Sequence, residues 1–437
     1  MAAPPSLKLL SRRNFWLGQV NGPVTMVSMT LLNTETVLAA FVVSLMGGNV
    51  IWVGLLASVI ACAQLLPAVV LANRLAGAER RLPYYQAGAV LRTASRLGLA
   101  LVLIFGRGDS QVVTFVVLAT SMLLWALSAG ISVIPFWSVV SDSIPPRWRG
   151  RFFGFRNVTG GLLCVGAGLW LKQMLSPESG YSFPINFGFI ALAATVAEGI
   201  GTCAFCLTYE PPHARQSRRL PLGLEFLRGP RLFRRDPNYR RLLRARIAYS
   251  IAISFAVPFI VPFGLKQMGV AAAALGGFVV ARQLAFSLSA LVWSRISDQR
   301  GNRRLMTITG SLALLIPAAM LVAPLLPREA VLHPGGMVIS LPAVFLAAVF
   351  ALAGAAMGGL ELAQNNYLLE MAPPRKRSTY LGFLYTVGVP LAWAPFVASL
   401  LIGPGDRFML GFGLSLLAAL VCLHSILRLS EVREEEA

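Results

Sequence analysis

Apolar residues in this chain neither alternate nor stay on one face of a helix; they run on for twenty or more positions at a time. Such runs lie near 15–45, 50–73, 84–105, 112–137, 155–175 and 184–208, and, after a basic stretch, near 243–267, 270–294, 305–326, 342–368, 380–402 and 408–428. Each is long enough to cross the ~30 Å hydrocarbon layer of a bilayer as a helix. The pattern predicts an all-α integral membrane protein with twelve transmembrane helices in two sets of six. Prolines within the runs (Pro67, Pro135, Pro258, Pro262, Pro317 and Pro390) fit this reading, because neighbouring helices in lipid re-satisfy the backbone groups a proline frees.

Composition points the same way. Of 437 residues, 56% are hydrophobic and 13% charged, and the mean hydropathy is +0.69. A soluble domain carries about twice that share of charge. The net charge of +20 then reads as a topology signal: segments on the side of the termini hold 30 of the 38 basic residues and the opposite loops five. The positive-inside rule places both termini in the cytoplasm. No cleavable signal peptide is expected, because the first apolar run is too long for a signal core. The predicted boundaries are 1–208 for an N-terminal six-helix half, 209–241 for a basic cytoplasmic linker, and 242–437 for a C-terminal half with a short acidic tail. Nucleic-acid binding is not expected despite the basic balance, since the charge is spread along a membrane face rather than gathered in a folded domain.

Redox, metal and nucleotide chemistry find little footing. The five cysteines (Cys62, Cys164, Cys203, Cys206 and Cys422) lie in apolar runs, and only Cys203 and Cys206 have ligand-like spacing, without a second pair. The three histidines are scattered, and no G-x-x-x-x-G-K phosphate loop is present. No cofactor, metal or catalytic residue is predicted, and the chain does not read as an enzyme.

The two halves repeat. Residues 142–155, which run from Asp142 through Pro145, Pro146, Arg147 and Arg149 to Gly154 and Phe155, match residues 370–383, from Glu370 through Pro373, Pro374, Arg375 and Arg377 to Gly382 and Phe383. At an offset of 228, six of the fourteen positions are identical. Asn14-Phe15 before the first run likewise matches Asn238-Tyr239 before the seventh. Parallel six-helix repeats are one of the two repeat plans of secondary transporters.

On these features the chain resembles the major facilitator superfamily. The resemblance rests on the six-plus-six plan with a basic central loop, on the Asp298, Gly301, Arg303 and Arg304 pattern after the eighth run, and on the segment 144–157. It implies two pseudo-symmetric six-helix bundles, alternating access without ATP, and a small-molecule substrate with a coupling proton or Na+. It also implies a monomer in a prokaryotic plasma membrane. The loop between runs two and three departs from the pattern: Gly77 remains, but Arg74 stands where the family has an aspartate. As gating candidates the resemblance points to Asp298, Gly301, Arg303, Asp142, Arg147, Arg149, Glu370, Arg375 and Arg377. The competing reading of these basic runs is topology alone.

Ionisable side chains at membrane depth cost several kcal/mol and are functional hypotheses by default. The sequence offers Glu35, Arg92, Arg96, Glu198, Arg282 and Glu361. Arg96 on the third run and Glu198 on the sixth are expected to form a structural pair. Arg282, Glu361, Gln364, Asn365, Asn366, Glu35 and Asn21 are the substrate-cavity candidates. Arg282 is read either as the anchor of an anionic or zwitterionic substrate or as half of a salt bridge with Glu361 or another polar side chain. Glu35 is read either as a proton-coupling carboxylate or as a residue at the outer interface, with the interface favoured. The alternative to transport is a protein of this fold serving as an assembly factor or sensor. A cavity filled with apolar side chains would mark that alternative; a wet one marks transport.

Overall fold

The structure is a computed structural model that describes residues 7–76, 78–106, 110–211, 233–332, 339–373 and 377–432. Helices occupy every predicted span. In chain order they are α1 (Leu7–Leu31), α2 (Val37–Leu45), α3 (Ile51–Ala76), α4 (Leu82–Phe105), α5 (Gln111–Ser143), α6 (Pro146–Met174) and α7 (Ile185–Cys206). After the linker come α8 (Pro237–Gln267), α9 (Ala274–Arg300), α10 (Asn302–Val322), α11 (Leu341–Met371), α12 (Arg377–Leu391), α13 (Ala394–Ile402) and α14 (Phe408–Leu427). Among the described residues, nine helices are individually long and apolar enough to cross a membrane. A two-residue antiparallel ladder, Val331 with Ser340 and Leu332 with Ile339, ties the loop before α11.

Two predicted spans are broken. The first divides into α1 and α2 at residues 32–36, where Asn33, Thr34, Glu35 and Thr36 offer the backbone side-chain hydrogen bonds that compete with a helix. The eleventh divides into α12 and α13 just after Pro390, whose ring removes a helical donor. Other helices start earlier than hydropathy suggests. α6 begins at Pro146 and α8 at Pro237, each with a proline in its first turn, where the missing N–H costs nothing.

The chain divides into two compact units. The first comprises Met1–Asn33 and Val59–Pro221, the second Thr34–Ser58 and Leu222–Ala437. The first unit centres on Tyr85, Val139, Phe152 and Phe205, with Phe15 packed against them. The second centres on Tyr239, Trp293, Met306, Tyr367 and Tyr380. Large apolar side chains such as Val90, Phe105, Leu162, Leu288 and Leu417 are exposed, as a lipid-facing surface requires.

The sequence repeat acquires a physical meaning within each unit. In the first, Asn14 on α1 donates Nδ2 to the Tyr209 carbonyl at 2.7 Å and accepts from the Tyr209 N–H at 2.9 Å. In the second, Asn238 accepts from the Ser430 N–H at 3.1 Å. Each asparagine thus fastens the chain just beyond the sixth helix of its own half. The neighbouring ring pair repeats as well: Phe15 meets Phe152 edge to face at 5.7 Å, and Tyr239 meets Tyr380 at 4.6 Å. A short apolar residue cannot replace the reciprocal amide, so Asn14→Ala is expected to lose about 1–3 kcal/mol of stability. Thermal unfolding of the purified variant checks this; an unchanged midpoint would reduce the clasp to an incidental contact.

Candidate functional site

Charged side chains inside the first unit gather around one carboxylate. Glu198 on α7 accepts from Arg96 of α4 at 2.8 Å and faces Arg92, one turn earlier, at 3.3 Å. Ser28 of α1 donates to the same carboxylate at 2.9 Å and also takes a short hydrogen bond from Arg96. Arg96, Glu198 and Ser28 are fully buried. The expected Arg96–Glu198 pair is therefore part of a three-residue ionic cluster carrying one excess positive charge. The Trp125 ring lies 4.4 Å from the Arg96 guanidinium carbon and the Tyr85 ring 5.7 Å from that of Arg92, so aromatic faces take up part of the excess.

Asn21 is buried and engaged with neighbouring helices. Its amide donates to the Gly201 carbonyl at 2.8 Å and to the Tyr85 hydroxyl at 3.3 Å, which knits α1 to α7 and α4. Glu210 likewise departs from a solvated linker: its carboxylate accepts from the backbone N–H groups of Arg81 and Leu82 at 2.7–2.8 Å. There it satisfies orphan donors at the start of α4 and complements the helix dipole.

In the second unit, Arg282 on α9 pairs with Glu35, not with Glu361. Glu35 lies in the break between α1 and α2 and meets this guanidinium from there. The Arg282 charge is thereby matched by a carboxylate, and both side chains keep 22% exposure. A second tie lies nearby in the chain: Lys266 at the end of α8 binds Asp406 at 2.6 Å and the Gly48 carbonyl at 2.8 Å. Ser58 accepts from the Phe396 N–H at 2.9 Å, and Gly54 packs directly on Ser399 and the Pro395 carbonyl. Residues 34–58 are thus held to α8, α9 and α13 by one ion pair, the Lys266–Gly48 hydrogen bond and a close-packed seam.

The polar stretch on α11 splits into two environments. Gln364 is buried and accepts from Arg246 of α8 at 2.8 Å. Asn366 donates to Ser297 at 3.5 Å, Ser297 donates to Asn302 at 2.7 Å, and Asn302 donates to Glu370 at 2.8 Å, a chain that fastens the ends of α9, α10 and α11. Asn365 is half-buried and Glu361 is exposed. Glu361 lies about 15 Å along the helix from its C-terminal end, and among the described residues it has no ion-pair partner.

The loop candidates sit at helix ends. Asp298 is exposed on the last turn of α9, and Gly301 has φ of +80°, a conformation that favours glycine. Arg303 donates to the Leu427 carbonyl at 3.2 Å, and Arg149 donates to the Ser141 carbonyl at 2.6 Å and the Ile144 carbonyl at 3.1 Å. Both arginines satisfy orphan carbonyls at helix C-termini, where cations are favoured. Asp142 accepts from Ser138 at 3.1 Å and Ser141 at 3.3 Å. Arg375 and Gly77 lie outside the described residues, as do the side chains of Arg74, Arg147 and Arg377.

Two cations that sequence reasoning placed on the cytoplasmic face belong to the membrane helices. Arg246 is about 14 Å into α8 and Arg156 about 12 Å past Trp148 on α6. The signal that could have found them is the proline at each helix start, which sets the first turn well before the apolar run. Among the described residues, no cluster of His, Cys, Asp and Glu could hold a metal ion.

Residues 166–396, more than half of the chain, match the family model of the Major Facilitator Superfamily. The chain belongs to this superfamily of membrane transporters. No curated protein matches the sequence. Among solved structures, a bacterial homologue of the iron transporter ferroportin in an inward-facing state is similar at 13% identity and TM-score 0.67, over 97% of this chain and 99% of that one. The nucleoside transporter NupG is similar at 12% identity and TM-score 0.67, over 97% and 100%. The peptide transporter POT follows at 14% identity and TM-score 0.66, over 98% and 99%. These likenesses establish the superfamily fold; the three neighbours differ in cargo, and identities this low carry none of it over.

Proposed function

We infer that this superfamily member is a secondary transporter that moves a small solute by alternating access between its six-helix halves, 1–208 and 242–437. The observation that carries this reading is Glu361: an exposed carboxylate, beside half-buried Asn365, deep within a 31-residue apolar helix. Lipid cannot face such a group without a cost of several kcal/mol, so this side of α11 is wet. A retained water-filled face supports transport over a purely structural role. The distribution of basic residues supports cytoplasmic termini in a prokaryotic plasma membrane.

A thermal-shift screen of the purified protein against sugars, amino acids, organic acids and drugs tests the reading, since a ligand of the native state raises the midpoint by mass action. Reconstituted protein should then show counterflow of any stabilising solute. Binding with no counterflow would count against transport. For sidedness, a cysteine at Ser179 should label from outside intact cells and one at Gln299 should not; the reverse result would invert the topology.

Glu361 is also the carboxylate best placed to carry a coupling proton. Glu361→Gln is expected to abolish uptake driven by a pH gradient, a drop of tenfold or more (on the order of 1.4 kcal/mol per decade), while counterflow persists. Equal loss of both activities would make Glu361 a binding residue instead, and loss of neither would remove it from the mechanism.

A further inference from the structure

The first unit contains a guanidinium that meets no counter-charge among the described residues. Arg156 lies on α6, half-buried and within the membrane span. Among the described residues its side chain makes no ion pair and no hydrogen bond, and its Nη1 is buried without any partner. Three phenylalanine rings surround it instead: its guanidinium carbon lies 5.0 Å from the Phe136 centroid, 5.3 Å from Phe152 and 6.0 Å from Phe153. An arginine cannot discard its charge as a buried lysine or histidine can. Ring faces attract a cation, but they cannot accept the parallel N–H donors of its fork.

The surroundings are shaped to leave room at this point. Gly22 on α1 faces Arg156, and a methyl group there would overlap Nε of the guanidinium. One turn earlier on the same face, Gly18 makes way for the Phe152 ring. Gln19, between them, is almost fully buried; it donates Nε2 to the Phe152 carbonyl at 3.0 Å and leaves Oε1 unpartnered. Residues three apart on α1 and four apart on α6 share a helix face. The open cation and the open amide oxygen therefore lie along one α1–α6 seam, about a helical turn apart.

The other intramembrane arginines differ in this respect. Arg92 and Arg96 have Glu198, Arg282 has Glu35, and Arg246 has the Gln364 oxygen. We propose that Arg156 is the anion-binding residue of the first unit, and that its ligand is a small organic carboxylate or phosphate with an apolar body. The fork of Arg156 takes the anionic oxygens in parallel hydrogen bonds, as guanidinium and carboxylate geometries match. The phenylalanine rings cover the apolar body, and Gln19 Oε1 accepts from a hydroxyl or N–H of the ligand. This assignment rests on the transport reading for its biological role, since it names the substrate class of a transporter. It also moves that role from Arg282, one of the two readings the sequence offered for that residue, to a cation with no ion pair among the described residues.

The test uses the full-length protein in phosphatidylcholine nanodiscs with benzoate, phenyl phosphate and benzylamine as probes. Both anions are expected to raise the melting temperature saturably, and the amine is not. Arg156→Ala should remove the shift. Arg156→Lys, which replaces a fork by one hydrated point charge, should weaken apparent affinity about tenfold. Gly22→Ala displaces the guanidinium without removing its charge and should also weaken binding, which keeps the test decisive if Arg156→Ala folds poorly. A final arm replaces the lipid by phosphatidylglycerol. Arg156-dependent stabilisation there, and not by the soluble anions, assigns the same site to a lipid headgroup. Shifts of equal size in wild type and Arg156→Ala, an equal effect of benzylamine, or no stabilisation by any of the three anion sources would overturn the assignment. Counterflow of labelled benzoate in proteoliposomes separates the two readings: Arg156-dependent binding without counterflow keeps the site and rejects transport, whereas counterflow indifferent to Arg156 keeps transport and rejects the site.

Discussion

Glu198→Ala is expected to destabilise the first unit more than any other single substitution in the membrane helices. The carboxylate is fully buried and, among the described residues, is the only acidic group that meets Arg92 and Arg96. Removing one partner of a buried pair costs about 3–5 kcal/mol, because the remaining charge loses its compensation without regaining water. Here two guanidinium groups are stranded at once. Glu198→Gln should be milder, since the amide oxygen still accepts from Ser28 and Arg96 while the charge is lost. Replacing all three charges together, as Arg92→Met, Arg96→Met and Glu198→Leu, should recover much of the stability, for buried ionic groups rarely outperform well-packed apolar ones. Melting temperatures in nanodiscs of one lipid composition would decide it. A wild-type midpoint for Glu198→Ala would mean that water reaches the cluster and that its charges need no protein partner.

The membrane spans were legible because lipid leaves a chain few choices. An apolar run of twenty residues has to be a helix, and no tertiary contact reverses that. Helix ends were less legible, because hydropathy records where lipid begins and not where backbone hydrogen bonding begins. The difference is largest at α6 and α8, which start at Pro146 and Pro237, and it hid Arg156 and Arg246 among the residues assigned to topology. Breaks within a span were hidden for a related reason. Asn33–Thr36 and Pro390 were visible as polar or helix-breaking residues, but hydropathy averages over them.

Ion-pair partners show the same division. Arg96 and Glu198 could be matched because they are opposite charges on two peripheral helices of one half. Ser28, which completes that cluster, looks in sequence like any hydroxyl in a span. Glu35 could not be matched to Arg282, because the match depends on a turn that redirects the chain after α1. The repeat between the halves was legible as identity alone; its cause, an asparagine fastening the far end of each bundle, is a contact between residues more than 190 positions apart. Polar character around α11 was visible, but not which of its residues are committed to structure: Gln364 and Asn366 are engaged with neighbours while Glu361 is open.

Arg282 yields the second large prediction, and it runs opposite to that for a substrate anchor. Because Glu35 matches its charge, Arg282→Lys should keep most of the activity, whereas Arg282→Ala and Glu35→Gln should impair it alike. The pair is partly exposed, at 22% for each side chain, so solvent screening holds its strength to about 1 kcal/mol or little more. That is weak for a structural bond and suitable for one that opens in every transport cycle, since about 1.4 kcal/mol already shifts a two-state population tenfold. Loss of the pair should therefore leave the melting temperature nearly unchanged and loosen the segment Thr34–Ser58. Hydrogen exchange in peptides covering that segment should quicken in both single variants. It should quicken no further in the double variant, since one contact cannot be lost twice. Exchanging the charges, as Glu35→Arg with Arg282→Glu, should restore wild-type exchange and transport where each reversal alone fails, because like charges then face each other across the clasp. Additive effects in the double variant, or loss of activity in Arg282→Lys with Thr34–Ser58 still protected, would return Arg282 to the role of a binding residue and leave the clasp to Lys266 and the Gly48 carbonyl.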